Sequence, residues 1–109
     1  GKGLGHKFLR HVSRTKMLLH VVSLEEEDPV NAYYTIREEL KNYSGDLQEK
    51  EEWIVITKKD LVKEGDIEPI KKELEKNENR VFVTSVSEPE SIKKLQDSLV
   101  SHLREKYNN

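Results

Sequence analysis

Three short apolar runs punctuate the chain: Met17-Leu18-Leu19-His20-Val21-Val22, Trp53-Ile54-Val55-Ile56 and Val81-Phe82-Val83. They are rich in β-branched residues and nearly continuous instead of alternating, which is the pattern of strands covered on both faces of a parallel sheet. Between them, apolar residues recur at spacings of three and four, the period of an amphipathic helix. Leu4, Phe8, Leu9 and Val12 form such a stripe before the first run, and Val30, Tyr33, Ile36, Leu40 and Tyr43 form one after it. Ile67, Ile70 and Leu74 follow the second run; Ile92, Leu95, Leu99 and Leu103 follow the third and predict a buried stripe on the last helix.

Local punctuation sharpens the boundaries. Asp28-Pro29 places an N-cap acid before proline at the first helical position. Ser44-Gly45-Asp46 stops that helix, Asp66 opens the next and Asn77 to Asn79 end it. Ser87-Glu88-Pro89-Glu90 has the form of a capping box, serine at the cap and glutamate three residues later. The order α-βα-βα-βα predicts an α/β fold with three layers (αβα), three parallel strands and four helices, joined by right-handed crossovers. One domain spans residues 1–109, without internal repeat or low-complexity segment.

In an open α/β sheet, ligands bind beyond the carboxyl ends of the strands. Three segments converge there: Ser23-Leu24, Thr57-Lys58-Lys59-Asp60 and Thr84-Ser85-Val86-Ser87. A carboxylate fixed at a strand end, such as Asp60, can accept two hydrogen bonds from the N1–H and N2–H₂ edge of guanine. Adenine presents no such pair of donors. A hydrogen bond to a charged partner contributes about 1.5–3 kcal/mol, so the pair is selective. The Lys58 stem can lie along an apolar ring face while its ammonium reaches oxygen acceptors. The Thr57 hydroxyl can tie neighbouring loops, Ser85 can orient Asp60, and the Val86 N–H can donate to guanine O6. Against this stands the plainer reading of a solvated turn, with Asp60 capping the next segment.

Composition removes several alternatives. Charged residues make up 37% of the chain, the net charge is −2, and acids and bases are interspersed, which argues against a nucleic-acid face. No apolar run approaches the roughly 20 residues of a membrane span, and the absence of cysteine excludes disulfides and zinc-thiolate sites. His6 and His11 are five residues apart and share no helical face well, so metal binding has little support. No serine or lysine is paired with a recognisable base for covalent catalysis. Tyr33, Tyr34 and Trp53 read as core or half-core residues by their spacing.

The residues Thr57-Lys58-Lys59-Asp60 and Thr84-Ser85-Val86 resemble the two guanine-recognition motifs of P-loop GTPases, [NT]-K-x-D and S-A. The opening GKGLGHKFLRHVSRT is similar to the segment that follows switch II in Obg-family GTPases, matching at Gly1, Gly3, Leu4, Gly5, Phe8, Leu9, Arg10, His11, Arg14 and Thr15. Asp28-Pro29 and the helix ending REELKNY fit the same family, so the resemblance covers essentially the whole chain. It implies the carboxyl-side half of a G domain, carrying guanine recognition at Thr57, Lys58, Lys59, Asp60, Ser85 and Val86, with Ser87 just beyond. Valine stands at 86 where alanine is usual, and Ser87-Glu88-Pro89-Glu90 replaces a glycine-rich turn.

The family's phosphate loop, its switch residues and its ligands for Mg2+ would all precede Gly1; GKGLG itself is no phosphate loop. The chain opens without an initiator methionine, as though cut from something longer. The resemblance further implies GTP hydrolysis by the intact protein, with GTP/GDP and Mg2+ as its ligands. It implies work on the large ribosomal subunit and a cytoplasmic location. On that reading the chain alone is inactive and binds nucleotide weakly. The first strand, lacking its neighbour, leaves an edge at Lys16 to Ser23 that invites dimerisation. The competing expectation is an α/β interaction module without nucleotide function.

Overall fold

The computed structural model describes residues 4–77 and 79–107; Gly1 and Gly3 of the opening motif lie outside them. The elements run α1 (His6–Val12), β1 (Leu18–Ser23), α2 (Pro29–Tyr43), α3 (Gly45–Glu49), β2 (Glu52–Thr57), a 3-10 turn (Lys59–Leu61), α4 (Glu64–Glu75), β3 (Arg80–Val83) and α5 (Pro89–Tyr107). The three strands form one parallel sheet in the order β1-β2-β3, in register from Leu18 beside Glu52 to Ser23 beside Thr57, and from Trp53 beside Arg80 to Ile56 beside Val83. The α/β, parallel-sheet architecture read from the sequence holds.

The helix boundaries follow local chemistry. The Asp28 carboxylate accepts from the Asn31 N–H (3.1 Å), satisfying an otherwise unpaired first-turn donor ahead of Pro29. Ser44 ends α2, its N–H donating to the Leu40 carbonyl (3.2 Å), and its hydroxyl then accepts from the Asp46 N–H (3.3 Å) to begin α3. The predicted stop is thus also a start, which adds a short fifth helix to the four expected. α4 begins at Glu64, two residues before Asp66, which lies in its first turn and complements the helix dipole.

One face of the sheet, carrying Val22, Ile54 and Ile56, buries against Tyr33 of α2 and Ile67 and Leu74 of α4. Each such fully buried side chain contributes about 1.5–3 kcal/mol relative to exposure. Leu9, Leu40 and Leu47 of α1, α2 and α3 form a second cluster. On the opposite face Trp53 is 1% exposed, its ring 5.2 Å from Phe82 and 4.9 Å from His102 of α5.

Coverage of the sheet is uneven. Leu19 and Val21 share a face with Trp53 and Val55, yet they are 42% and 58% exposed because α5 packs toward β3. β1 is therefore covered on one face only, where the continuous apolar run predicts two. On α5 no residue is fully buried; Ile92, Leu95, Leu99 and Leu103 are half-buried instead of forming a buried stripe. On α1 only Leu9 is buried, with Phe8 exposed. The outer edge of β1 has no strand partner among the described residues. No described helix is long and apolar enough to cross a membrane.

Candidate functional site

Beyond the carboxyl end of β2 the chain turns sharply at Lys58, which is left-handed (φ 65°, ψ 37°) and the only described non-glycine residue at positive φ. This conformation costs a side-chain-bearing residue about 1–2 kcal/mol, and strain of this kind clusters at functional sites. The turn leads into the 3-10 segment, where the Leu61 N–H donates to the Lys58 carbonyl (3.0 Å). Asp60 sits inside that turn, exposed to solvent.

β3 delivers the facing loop. The Thr84 N–H and hydroxyl both donate to the Ile56 carbonyl, at 2.7 and 3.0 Å, and the Lys59 N–H donates to the Thr84 carbonyl (3.0 Å). These bonds lock the two loops side by side. Ser85, 1% exposed, then donates its hydroxyl to Asp60 Oδ1 at 2.6 Å. This charge-assisted bond, then a bond from the Asp60 backbone N–H and, more weakly, the Lys58 ammonium, hold the Asp60 carboxyl below the usual carboxylate range. Asp60 is therefore ionised at neutral pH and acceptor-only, its orientation fixed on one side.

The remaining candidates assemble around this pair. Lys58 pairs with Glu25 of the loop after β1, and Lys59 with Glu88 (3.3 Å). Thr57 ties the first loop through its carbonyl, which accepts from the Leu24 N–H (3.1 Å), rather than through its hydroxyl as the sequence suggests. Val86 is 92% exposed, an apolar side chain standing free at the mouth of the site. Ser87 forms no capping box. The helix starts at Pro89, too late for a Ser87 cap, and the Ser87 hydroxyl lies 2.7 Å from Ser85 Oγ instead. All seven residues expected at the site thus occupy one end of the sheet.

The implied Mg2+ finds no matching donor set: no group of three or more His, Asp or Glu suited to a metal occurs among the described residues. Of the carboxylates at this end of the sheet, Glu25 pairs with Lys58, Glu88 with Lys59, and Asp60 accepts from Ser85.

A polar cluster that the sequence did not reveal lies at the opposite end of the sheet. Glu52, 6% exposed on β2, accepts from the Tyr33 hydroxyl (2.7 Å), His20 Nδ1 (3.1 Å), Arg37 (3.4 Å) and Asn79 (3.4 Å). Burial pushes its carboxyl up, but the His20 and Tyr33 hydrogen bonds and the Arg37 charge outweigh it and hold the group low. Burial and the neighbouring carboxylate together drive the Tyr33 hydroxyl well above its usual range. Next to it, Glu51 meets Tyr107 (2.7 Å), Lys106 (3.2 Å) and, as an ion-pair contact out of hydrogen-bond alignment, His102 (2.8 Å). Burial opposes ionisation here too, yet those three contacts bring its pKa down to about 2. An acid directly preceding the apolar run Trp53-Ile54-Val55-Ile56 is the signal that points to Glu52.

No family model matches the chain. Curated relatives match nearly all of it: GTPase Obg of Pelagibacter ubique, 41% identical over 104 residues (94% of this chain, 32% of that protein), and GTPase Obg of Prochlorococcus marinus, 41% identical over 109 residues (99% and 31%). GTPase Obg of Thermosipho africanus is 38% identical over 96% of the chain. The chain spans about a third of the length of the first two relatives. A parallel α/β sheet, the paired loops at its carboxyl end and this likeness from end to end agree: the chain belongs to the Obg family of GTPases.

Proposed function

We propose that the chain is the carboxyl-side half of an Obg-type G domain and supplies guanine recognition to it. What supports this reading above all is the Ser85–Asp60 hydrogen bond at the carboxyl ends of adjacent strands, with Asp60 ionised and open to solvent on its other side. Asp60 would accept from guanine N1–H and N2–H₂, the Lys58 stem would lie along the base, and the exposed Val86 would bring its N–H toward O6. Thr57 and Lys59 would hold the loops, Thr57 through its carbonyl and Lys59 through its N–H. Ser87 would border the base.

In the intact protein GTP would be hydrolysed on a phosphate loop with Mg2+, in front of the residues seen here. Phosphoryl transfer depends on phosphate cradling, metal and water positioning. Its work would be on the large ribosomal subunit in the cytoplasm. The chain alone would not hydrolyse GTP and would bind GDP weakly; micromolar or tighter binding in a calorimetric titration would contradict this. In a protein carrying a phosphate loop ahead of these residues, Asp60→Asn should turn preference from guanine to xanthine nucleotides, because the amide matches the extra carbonyl of xanthine. Unchanged base preference would favour an interaction module instead.

The edge of β1, without a strand partner among the described residues and flanked by exposed Leu19 and Val21, favours self-association through Lys16 to Ser23 in the isolated chain. Light scattering checks it: a monodisperse monomer at high concentration would count against the pairing.

A further inference from the structure

The Asp60 donor is itself held by a chain of hydroxyls. Ser85 Oγ has one proton and two acceptor positions. Its proton goes to Asp60 Oδ1, since an ionised carboxylate cannot donate. The Ser87 N–H occupies one acceptor position at 3.1 Å, so at the 2.7 Å contact between the two hydroxyls Ser87 must be the donor. The direction is fixed: Ser87 to Ser85 to Asp60. Successive bonds of this kind polarise and strengthen one another.

The backbone of Ser85 is held just as closely. Its N–H donates to Ser91 Oγ (3.1 Å), and the Ser91 hydroxyl donates onward to the Glu88 carbonyl (2.7 Å). The Glu88 N–H returns to the Ser85 carbonyl (3.0 Å), closing the loop on the first turn of α5. Between Ser85 and Ser91 there is no glycine, although the family resemblance leads one to expect a glycine-rich turn. Side-chain hydroxyls fix the loop instead.

We propose that Ser87 and Ser91 are positioning residues, Ser87 aiming the Ser85 hydroxyl and Ser91 anchoring its backbone, so that Asp60 presents a fixed carboxylate to a guanine base. This deepens the guanine reading and rests on it. Neither serine need touch the ligand. The other charged groups around Asp60 are Lys58 and Lys59, themselves paired with Glu25 and Glu88; Ser91 meets Glu88 only at its backbone carbonyl, and neither serine hydroxyl bonds a charged group of those pairs.

The test is nuclear magnetic resonance on the 109-residue chain, following the Asp60 carboxyl carbon through a pH titration. Ser85→Ala sets the full effect, an upward move of the Asp60 midpoint. Ser87→Ala and Ser91→Ala should each move it part of the way, and Ser91→Thr should restore the original midpoint. Ser87 is exposed, so its variant stays folded and keeps the test open if Ser91→Ala does not. Midpoints unchanged in both alanine variants, or no movement even in Ser85→Ala, would overturn the proposal. A millimolar guanosine titration of the wild-type chain separates the two layers. Midpoint shifts without any guanosine perturbation at Asp60 would retain the serine chain and defeat the guanine reading; perturbation without midpoint shifts would do the reverse.

Discussion

Two carboxylates on one strand and its exit behave in opposite ways. Glu52 is buried at the amino end of β2 with donors on every side, from Tyr33, His20, Arg37 and Asn79. Asp60, just past the carboxyl end, has one side-chain donor, Ser85, beside its own backbone N–H, and is exposed to water. Both are held ionised, but only one has acceptor capacity left. A fully satisfied buried charge fixes structure, whereas a half-satisfied exposed one is available to a ligand. The pH behaviour, the mutational cost and the chemistry should divide accordingly.

The largest expected effect breaks the first carboxylate. Glu52→Ala would leave the Tyr33 hydroxyl, His20 and Arg37 facing an empty site, and loss of one partner from a buried charged network costs about 3–5 kcal/mol. Urea denaturation should show it; a loss below about 1 kcal/mol would mean the cluster is wet or rearranges. Leu74→Ala, fully buried between α4 and the sheet, provides an apolar yardstick of about 2–5 kcal/mol in the same assay.

Acid should act through the amino end. Glu51 and Glu52 have folded pKa values below the ordinary 4.5, that of Glu51 at about 2. Depressed folded values mean that the unfolded chain binds protons first, so these groups stabilise the fold fully above about pH 4.5 and lose that contribution as pH falls toward 2. Thermal melts between pH 7 and 2 should steepen below 4.5, and Glu52→Gln should flatten the curve. Asp60→Asn should leave the melts nearly superimposable with those of the wild type while altering base preference. A large stability loss from Asp60→Asn would erase the distinction between the two ends. The smallest effect concerns the open edge: Val21→Lys should leave stability nearly unchanged and suppress any concentration-dependent association seen by light scattering.

The strands and the carboxyl-end cluster were legible because their signals are local: apolar runs, Asp28-Pro29, and the motifs at 57–60 and 85–87. What escaped was non-local. The partners of Glu52 lie 15 to 32 residues away in sequence, and no periodicity connects them. Ser44 reads as a stop in the sequence because a helix end and a helix start use the same hydroxyl and backbone chemistry. The capping box at Ser87 failed because Pro89 starts the helix later and Ser85 offers the Ser87 hydroxyl a nearer partner. The run at Met17 to Val22 misled on coverage, since continuity of apolar residues does not say whether a second layer reaches the edge strand.

The left-handed corner at Lys58 has a mechanical consequence. By swinging Lys59 so that its N–H reaches the Thr84 carbonyl, it couples the exits of β2 and β3 into a single rigid jaw. Anything that pries Asp60 outward must drag Ser85 along or sever that link. Glycine at 58 should hold the same corner without its steric cost, while removing the stem assigned to the base face and the pair with Glu25.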